Sequence, residues 1–493
     1  MPDSPASRHP LVATMVGVHA TIMVLWSTLR HEHYGSTAYD LAAYENVFWN
    51  LAHRGVPWNS IERCHQWSNH FEVGLLWLWL PFRFAPSPVW LFLVQQISCA
   101  AAALPIEAMA RHASGDRRIG LVAALATLLS PQLLLAEIYD FHSITACAFP
   151  MALLVWGVAS DSPRRMIVGA LLAMSVREQM GLALAAAAVA WLLCHGWRKR
   201  WPVALAFATL GIGGFLLEVL WLIPHYANGG AFRYVSQYGR LGGTPEAALR
   251  FALERPFQLL LLPFEGKRPL YLLLLASGAI PLLIASFRSA RTVAWPLLVA
   301  APLLLVQLMN DRSVVWSIHY QYGAPVVPLL AACAALALSD KRCIPPNKRR
   351  WFAGVWIGAT AIVSCVALAG KIYGEGRPLD PQFAGSKRAI ALERVLALLP
   401  GDASVSAFDR IAPHLAHRPE IHKWPDGEND DRFVVLEVGG MSAHPGELEI
   451  AKAAIARLRR DPRFTIRLDE GGVLLVERIA KAPTTKAAFG HDL

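Results

Sequence analysis

The stretch PVALAFATLGIGGFLLEVLWLI, residues 202–223, carries one ionisable side chain, Glu218, in 22 positions. A helix of about 20 apolar residues covers the hydrocarbon thickness of a bilayer. Runs of the same character, some shorter, recur at 10–29, 88–110, 118–136, 143–160, 165–176, 180–195, 269–287, 292–309, 324–339 and 351–370. Together these eleven runs predict an α-helical polytopic membrane protein. The weakest are 165–176 and 180–195, which read as short helices meeting at a break around Arg177 and Glu178. The first run follows Arg8 and His9 with no small-x-small cleavage site after it, so it is expected to be an uncleaved helix rather than a signal peptide.

Composition agrees with this reading. Hydrophobic residues make up 55% of the 493 and charged residues 17%, below the roughly 25% of soluble domains. Seventeen Trp, among them 49, 58, 67, 77, 79 and 90, suit lipid–water interfaces, where an indole buries its ring and wets its N–H. The net charge of +10 points to no nucleic acid, because the basic residues form no continuous patch. They cluster in short loops: RHASGDR (111–117), SDSPR (160–164), HGWRKR (195–200), FRSAR (287–291) and DKRCIPPNKRR (340–350). With a cytoplasmic N-terminus these clusters all fall inside, as positive-inside topology requires. The expected location is then the cytoplasmic (inner) membrane, with loops 31–87 and 224–268 outside. Seven Cys lie far apart and form no CxxC, so neither a zinc site nor a disulfide framework is indicated.

Beyond the last run the pattern changes. Residues 386–399 and 446–460 have helical periodicity, while 405–408, 433–438, 464–468 and 472–479 read as strands, with Glu470–Gly471–Gly472 as a hairpin turn. The expected organisation is a transmembrane domain at 1–373, a small extracytoplasmic α/β soluble domain at 374–480, and a disordered tail at 481–493. That domain lacks a glycine-rich phosphate loop, so no nucleotide site is expected there.

Ionisable groups near membrane depth are expensive, and each is a candidate for function. The expected outer face collects Asp40, His70, Asp140, His142, Arg177, Glu178, His319 and Tyr320, with Glu218 deeper. Plainer roles exist for each. Asp40 could be the N-cap of a helix starting at Leu41. Arg177 and Glu178 could neutralise each other, and His70 could bond to backbone.

The motifs that hold these residues are YDLAAYENVFWNLAHRG (39–55), NHFE (69–72), YDFH (139–142), VREQ (176–179), HYQYGAPVVP (319–328) and LPGDASVSAFDRIAPHLAHRPEIHKWP (399–425). In kind and order they resemble an uncharacterised prokaryotic membrane family, domain of unknown function 2079, over roughly 35–440. That family in turn resembles the GT-C glycosyltransferases, which place a catalytic carboxylate soon after the first helix and take sugars from polyprenyl-phosphate carriers. The resemblance implies a GT-C-like fold and a cell-envelope glycosyltransferase that transfers a hexosyl or pentosyl group with inversion. Its partners would be a polyprenyl-phosphate-linked sugar and membrane lipids, with the acceptor open. Asp40 stands at the matching place and becomes the expected base. Arg177 becomes the expected phosphate ligand, assisted by His319 or His142. Asp140 or Glu178 would orient the acceptor or hold a divalent metal, although no spacing demands a metal. The competing readings are a transporter or flippase for a lipid-linked or polar solute, which would show an internal repeat, and a non-catalytic membrane scaffold.

Overall fold

A computed structural model describes residues 10–228, 230, 232–373, 384–438 and 446–479. The expected domain boundary at 374 and the expected tail at 481–493 lie outside the described residues. The chain forms two compact units. The first comprises 10–28, 65–78 and 89–373; the second comprises 29–64, 79–88 and the described residues beyond 383.

The first unit is helical. Among the described residues five helices are long and apolar enough to cross a membrane: Pro10–Glu32, Val89–Ser114, Trp201–Tyr226, Arg268–Leu308 and Pro346–Ile372. A sixth span forms if Arg117–Leu128 and Pro131–Glu137, bent by 47° at their break, are taken together. The chain is therefore a multi-pass membrane protein, but the expected count of eleven spans is not confirmed. Each expected run does contain helix; what several lack is length. Pro163–Met174 has 12 residues and Met180–His195 has 16. At about 1.5 Å per residue these helices fall short of the roughly 30 Å hydrocarbon layer. Val327–Ser339 is buried along its whole length, so it belongs to the interior of the unit. Irregular ends at membrane depth are tolerable where protein rather than lipid surrounds them.

The long helices show the opposite pattern. In Pro10–Glu32, Trp201–Tyr226 and Pro346–Ile372 only 17% of the apolar window is buried. Leu205, Leu220, Trp221, Ile362 and Val366 point outward, as lipid-facing side chains do. Close helix crossing rests on small residues. A Cβ on Gly181 would stand 2.2 Å from the carbonyl oxygen of Gly211, and one on Gly211 would stand 2.3 Å from that of Gly181. The helices 180–195 and 201–217 thus meet backbone to backbone.

The second unit carries a five-stranded sheet: β1 (Val405–Ala407), β2 (Ile421–Lys423), β3 (Phe433–Glu437), β4 (Phe464–Glu470) and β5 (Val473–Arg478). The order is β2-β1-β3-β5-β4. Strands β2, β1 and β3 run parallel, while β5 is antiparallel to β3 and to β4. Helices Lys387–Leu398 and Glu447–Leu458 complete the small α/β region. The first of these starts at an N-cap, where Ser386 Oγ accepts from the Ala389 N–H at 3.1 Å. Gly471 and Gly472, at φ 59° and 80°, make the expected hairpin turn. β2 went unread in the sequence, because its three residues Ile-His-Lys form no alternating run. The core of this unit includes Val405, Phe408, Ile421, Val435 and Leu475, and also Tyr34, Ala38, Ala42, Ala43 and Ile61 from the first long loop.

His414 is buried in this unit, stacked between the rings of His31 (4.1 Å) and Tyr34 (3.7 Å). Burial first, and then the neighbouring His31, push it well below the ordinary imidazole value of 6.5.

Two outcomes follow. Gly181→Val is expected to lower the thermal midpoint of the detergent-solubilised protein by several degrees, while Gly213→Ala, at a position with open space, leaves it unchanged; unfolding followed by tryptophan fluorescence checks this. His414 stays neutral when folded and takes up a proton when unfolded, so the unfolded state binds more protons below about pH 6.5. The second unit is therefore expected to lose stability as pH falls from 7 to 5, and His414→Phe to flatten that dependence in thermal melts.

Candidate functional site

The helix 163–174 ends at Met174 and the next begins at Met180. The turn between them, 175–179, carries Arg177 and Glu178, both almost fully buried. A buried charge needs a partner and its remaining polar atoms need hydrogen bonds. The segment 65–78 supplies both. It is tied to the turn by the Gly74 N–H, which donates to the Ser175 carbonyl at 2.7 Å. Side-chain room at Gly74 is absent, since a Cβ there would meet Ser175 Oγ at 2.2 Å.

Arg177 faces Glu72, with Nη2 to Oε1 at 3.6 Å. Glu72 also accepts from Ser143 Oγ at 2.5 Å and from Gln66 Nε2 at 3.1 Å. Glu178 is bonded to His70, whose Nδ1 lies 3.2 Å from both carboxylate oxygens. The His70 ring stacks on Tyr234 at 4.9 Å. Burial raises the Glu178 carboxyl, but the charge and hydrogen bond of His70 and the charge of Arg177 outweigh it, so the group stands below the ordinary carboxylate value. Arg177 and Glu178 therefore do not simply neutralise each other, and His70 bonds to a carboxylate rather than to backbone.

The segment 139–143 links this cluster to a second one. Asp140 is buried, and its carbonyl accepts from Gln95 Nε2 at 3.4 Å. The His142 N–H donates to Gln95 Oε1 at 3.0 Å, and its ring stacks on Tyr139. Tyr139 meets Tyr320 edge to face, and the Lys371 ammonium sits over both rings, at 4.7 Å and 5.7 Å. Such placement is a cation–π contact. The Tyr320 carbonyl accepts from Gln132 Nε2. Burial and the Lys371 charge hold His319 below the ordinary imidazole value.

Seven of the eight expected residues thus belong to the first unit. The eighth, Asp40, belongs to the second. It is not an N-cap: it sits inside a π-helical turn, Ala38–Ala42, with Thr37 at the cap position. Thr37 Oγ1 donates to Asp40 Oδ2 at 3.2 Å. Glu218 lies buried at the start of another π-turn, Glu218–Leu222, which interrupts a long apolar helix. Single π-turns of this kind are frequent at functional sites. The sequence reading missed Glu72, Ser143, Tyr139 and Lys371. Glu72 had a signal, since it closes the NHFE motif and a buried Arg requires a carboxylate. Lys371 had none, because a lysine in the last turn of a long helix reads as an ordinary helix end.

No three His, Cys, Asp or Glu among the described residues come together as a metal site. Glu178 is engaged by His70, and Glu72 by Arg177.

A family described as "Predicted membrane protein (DUF2079)" matches residues 30–435. No curated protein matches the sequence. Among solved structures the chain is similar to ArnT from Cupriavidus metallidurans. In the apo state the TM-score is 0.54 at 12% identity, covering 96% of this chain and 99% of that one. For the same protein bound to undecaprenyl phosphate the TM-score is 0.51 at 12% identity, with the same coverage. The chain thus has an ArnT-like fold, a helical membrane protein with a small C-terminal α/β region.

Removing the guanidinium alone leaves the Glu72 carboxylate buried without its partner, a change that costs about 3 kcal/mol or more. Arg177→Met is accordingly expected to destabilise strongly, and Arg177→Met with Glu72→Gln to recover part of the loss. Thermal unfolding of wild type, both single variants and the double variant checks this; strict additivity would contradict a direct pair.

Proposed function

We propose, from the premise that this chain belongs to the DUF2079 family of predicted membrane proteins, that it is a GT-C-type glycosyltransferase. It would transfer a sugar from a polyprenyl-phosphate carrier to an acceptor at the outer face of the cytoplasmic membrane. The observation that carries the reading is the ArnT fold over nearly the whole length of both chains, in a neighbour crystallised with undecaprenyl phosphate. The basic short loops favour a cytoplasmic N-terminus and an extracytoplasmic C-terminal domain.

Transfer requires three things of the chain. The acceptor hydroxyl loses its proton as its oxygen attacks the anomeric carbon, and a carboxylate within hydrogen-bond reach takes that proton. Asp40 has this role. The bond from the anomeric carbon to the phosphate oxygen breaks from the opposite face, giving inversion, and the lipid phosphate leaves with the electron pair. A fixed cation stabilises the charge that develops there. Arg177 has this role, because a guanidinium fork matches phosphate oxygens, and His142 or His319 assists. Asp140 and Glu178 orient the acceptor; the low pKa of Glu178 keeps it an acceptor of hydrogen bonds. His70 fixes the Glu178 carboxylate, and Tyr320 offers an aromatic face to a sugar ring.

Losing a general base costs about 100-fold or more in rate. Asp40→Asn is therefore expected to abolish turnover while the protein still folds and inserts. The measurement is undecaprenyl phosphate released from the undecaprenyl-phosphate sugars of a host lipid extract. Turnover at the wild-type rate in Asp40→Asn would remove the base assignment.

A further inference from the structure

The motif LPGDASVSAFDRIAPHLAHRPEIHKWP (399–425) lies in the second unit and has no part in the chemistry above. It builds β1 and β2 and the turns that follow them. In open α/β sheets, ligands bind outside the carboxyl ends of parallel strands, where consecutive connections leave in opposite directions. β1 meets that condition, because β2 lies on one side of it and β3 on the other.

The place is taken by the chain itself. Asp409 follows the carboxyl end of β1, and its Oδ1 accepts the Ala38 N–H at 3.2 Å. Lys423, the last residue of β2, holds its ammonium 5.4 Å from the Tyr39 ring and is bonded to Glu447 at 2.5 Å. Glu437, the last residue of β3, binds Arg388 through two bonds of 2.7 and 3.1 Å, and that guanidinium lies 5.8 Å from the Tyr34 ring. Further along, Asn46 Nδ2 donates to the carbonyls of Ala416 and Arg418 at 3.1 and 2.8 Å. Ser60 exchanges two hydrogen bonds with the backbone of Ile421, at 2.9 and 3.0 Å. Within the gripped turn, Ala38 and Leu41 are fully buried while Asp40 between them is only partly buried.

We propose that the C-terminal α/β domain positions the Asp40 carboxylate, with Asp409 the principal positioning residue, by clamping residues 34–39 at the carboxyl ends of its three parallel strands and Asn46 against the turn that leads into β2. The catalytic half of this inference rests on the reading of Asp40 as base. The crevice that other α/β sheets offer to a ligand here holds the loop that carries the reactive group. A π-turn contains one residue more than a regular turn and is rare as a free conformation, so it needs outside contacts to persist. A reactive group must be held within about 0.5 Å of its working position, and loops do not achieve this without support.

The test uses the full-length protein in detergent, with hydrogen exchange of peptides covering 37–46 as the first readout and turnover of the host lipid extract as the second. A hydrogen bond to a charged acceptor protects an amide by about tenfold or more. Asp409→Ala is expected to speed exchange in 37–46 by that factor, to leave peptides of β3 and of 447–458 unchanged, and to lower kcat with KM unaltered. Asp409→Asn, which keeps the accepting oxygen, is expected to restore both readouts. Should Asp409→Ala fail to accumulate in membranes, Tyr39→Leu, at a residue 46% exposed, removes the Lys423 contact and carries the same two readouts. Unchanged exchange in 37–46 overturns the clamp. Faster exchange with unchanged kcat overturns its role in positioning. Asp40→Asn measured alongside separates the two ideas: wild-type turnover in that variant removes the base reading, whereas a dead Asp40→Asn with unchanged exchange in Asp409→Ala removes the clamp and leaves the base reading standing.

Discussion

A guanidinium buried among apolar helices has to be matched where it stands, and the first unit is organised around that requirement. Arg177 occupies the turn between two helices too short to span a bilayer. Its partner Glu72 comes from a segment about a hundred residues earlier in the chain. Glu72 is itself held by Ser143 and Gln66, and the adjoining Glu178 by His70. An ionised group left without such partners in a low-dielectric interior costs several kcal/mol. The three segments 65–78, 139–143 and 175–179 are therefore bound to one another by the charge they enclose. The short helices follow from the same arrangement, because their ends face protein groups that satisfy the backbone and need not reach water.

A buried network of this kind is weak as a source of stability and strong as a source of position. Replacing a buried ion pair by apolar residues of similar volume is often neutral or stabilising, so packing alone would not select it. What it supplies is a guanidinium, two carboxylates and an imidazole with fixed relative geometry. Preorganised charge of that sort is what the departure of a phosphate requires. The second unit shows a related economy in polar contacts. There Asp409 and Lys423, near the ends of two parallel strands, contact one loop segment directly, and Arg388, bonded to Glu437 at the end of the third, lies near Tyr34 of the same segment.

Elements with strong periodicity were legible in the sequence. The apolar runs, the helices 387–398 and 447–458, and the strands 433–437 and 473–478 all stand where the pattern put them. β2 was missed because three residues carry no period. The count of eleven membrane spans is not confirmed, because apolarity reports burial, and a helix such as Val327–Ser339 is buried by protein as completely as another is by lipid. The candidate residues were named by the cost of charge near membrane depth. That argument finds Arg177 and Glu178 but does not say with whom they pair. Glu72 was overlooked beside His70 in one four-residue motif, and Lys371 was hidden as a helix-end cation. The π-turn that carries Asp40 has no signature of its own, since its residues Ala-Tyr-Asp-Leu-Ala suit a regular helix and the contacts that hold it come from some 370 residues away.

The measurement closest to the central claim is lipid retention followed by native mass spectrometry of the protein released from detergent. Undecaprenyl phosphate and undecaprenol are supplied in equal amounts, so that the two probes differ only in the phosphate. Selective retention of one undecaprenyl phosphate per chain by the wild type, with that preference lost in Arg177→Lys, is the expected result, because the ammonium of lysine cannot reproduce the two-pronged contact of a guanidinium. Equal retention of the two lipids by the wild type, or an undiminished preference in Arg177→Lys, would contradict the assignment of Arg177 to the lipid phosphate.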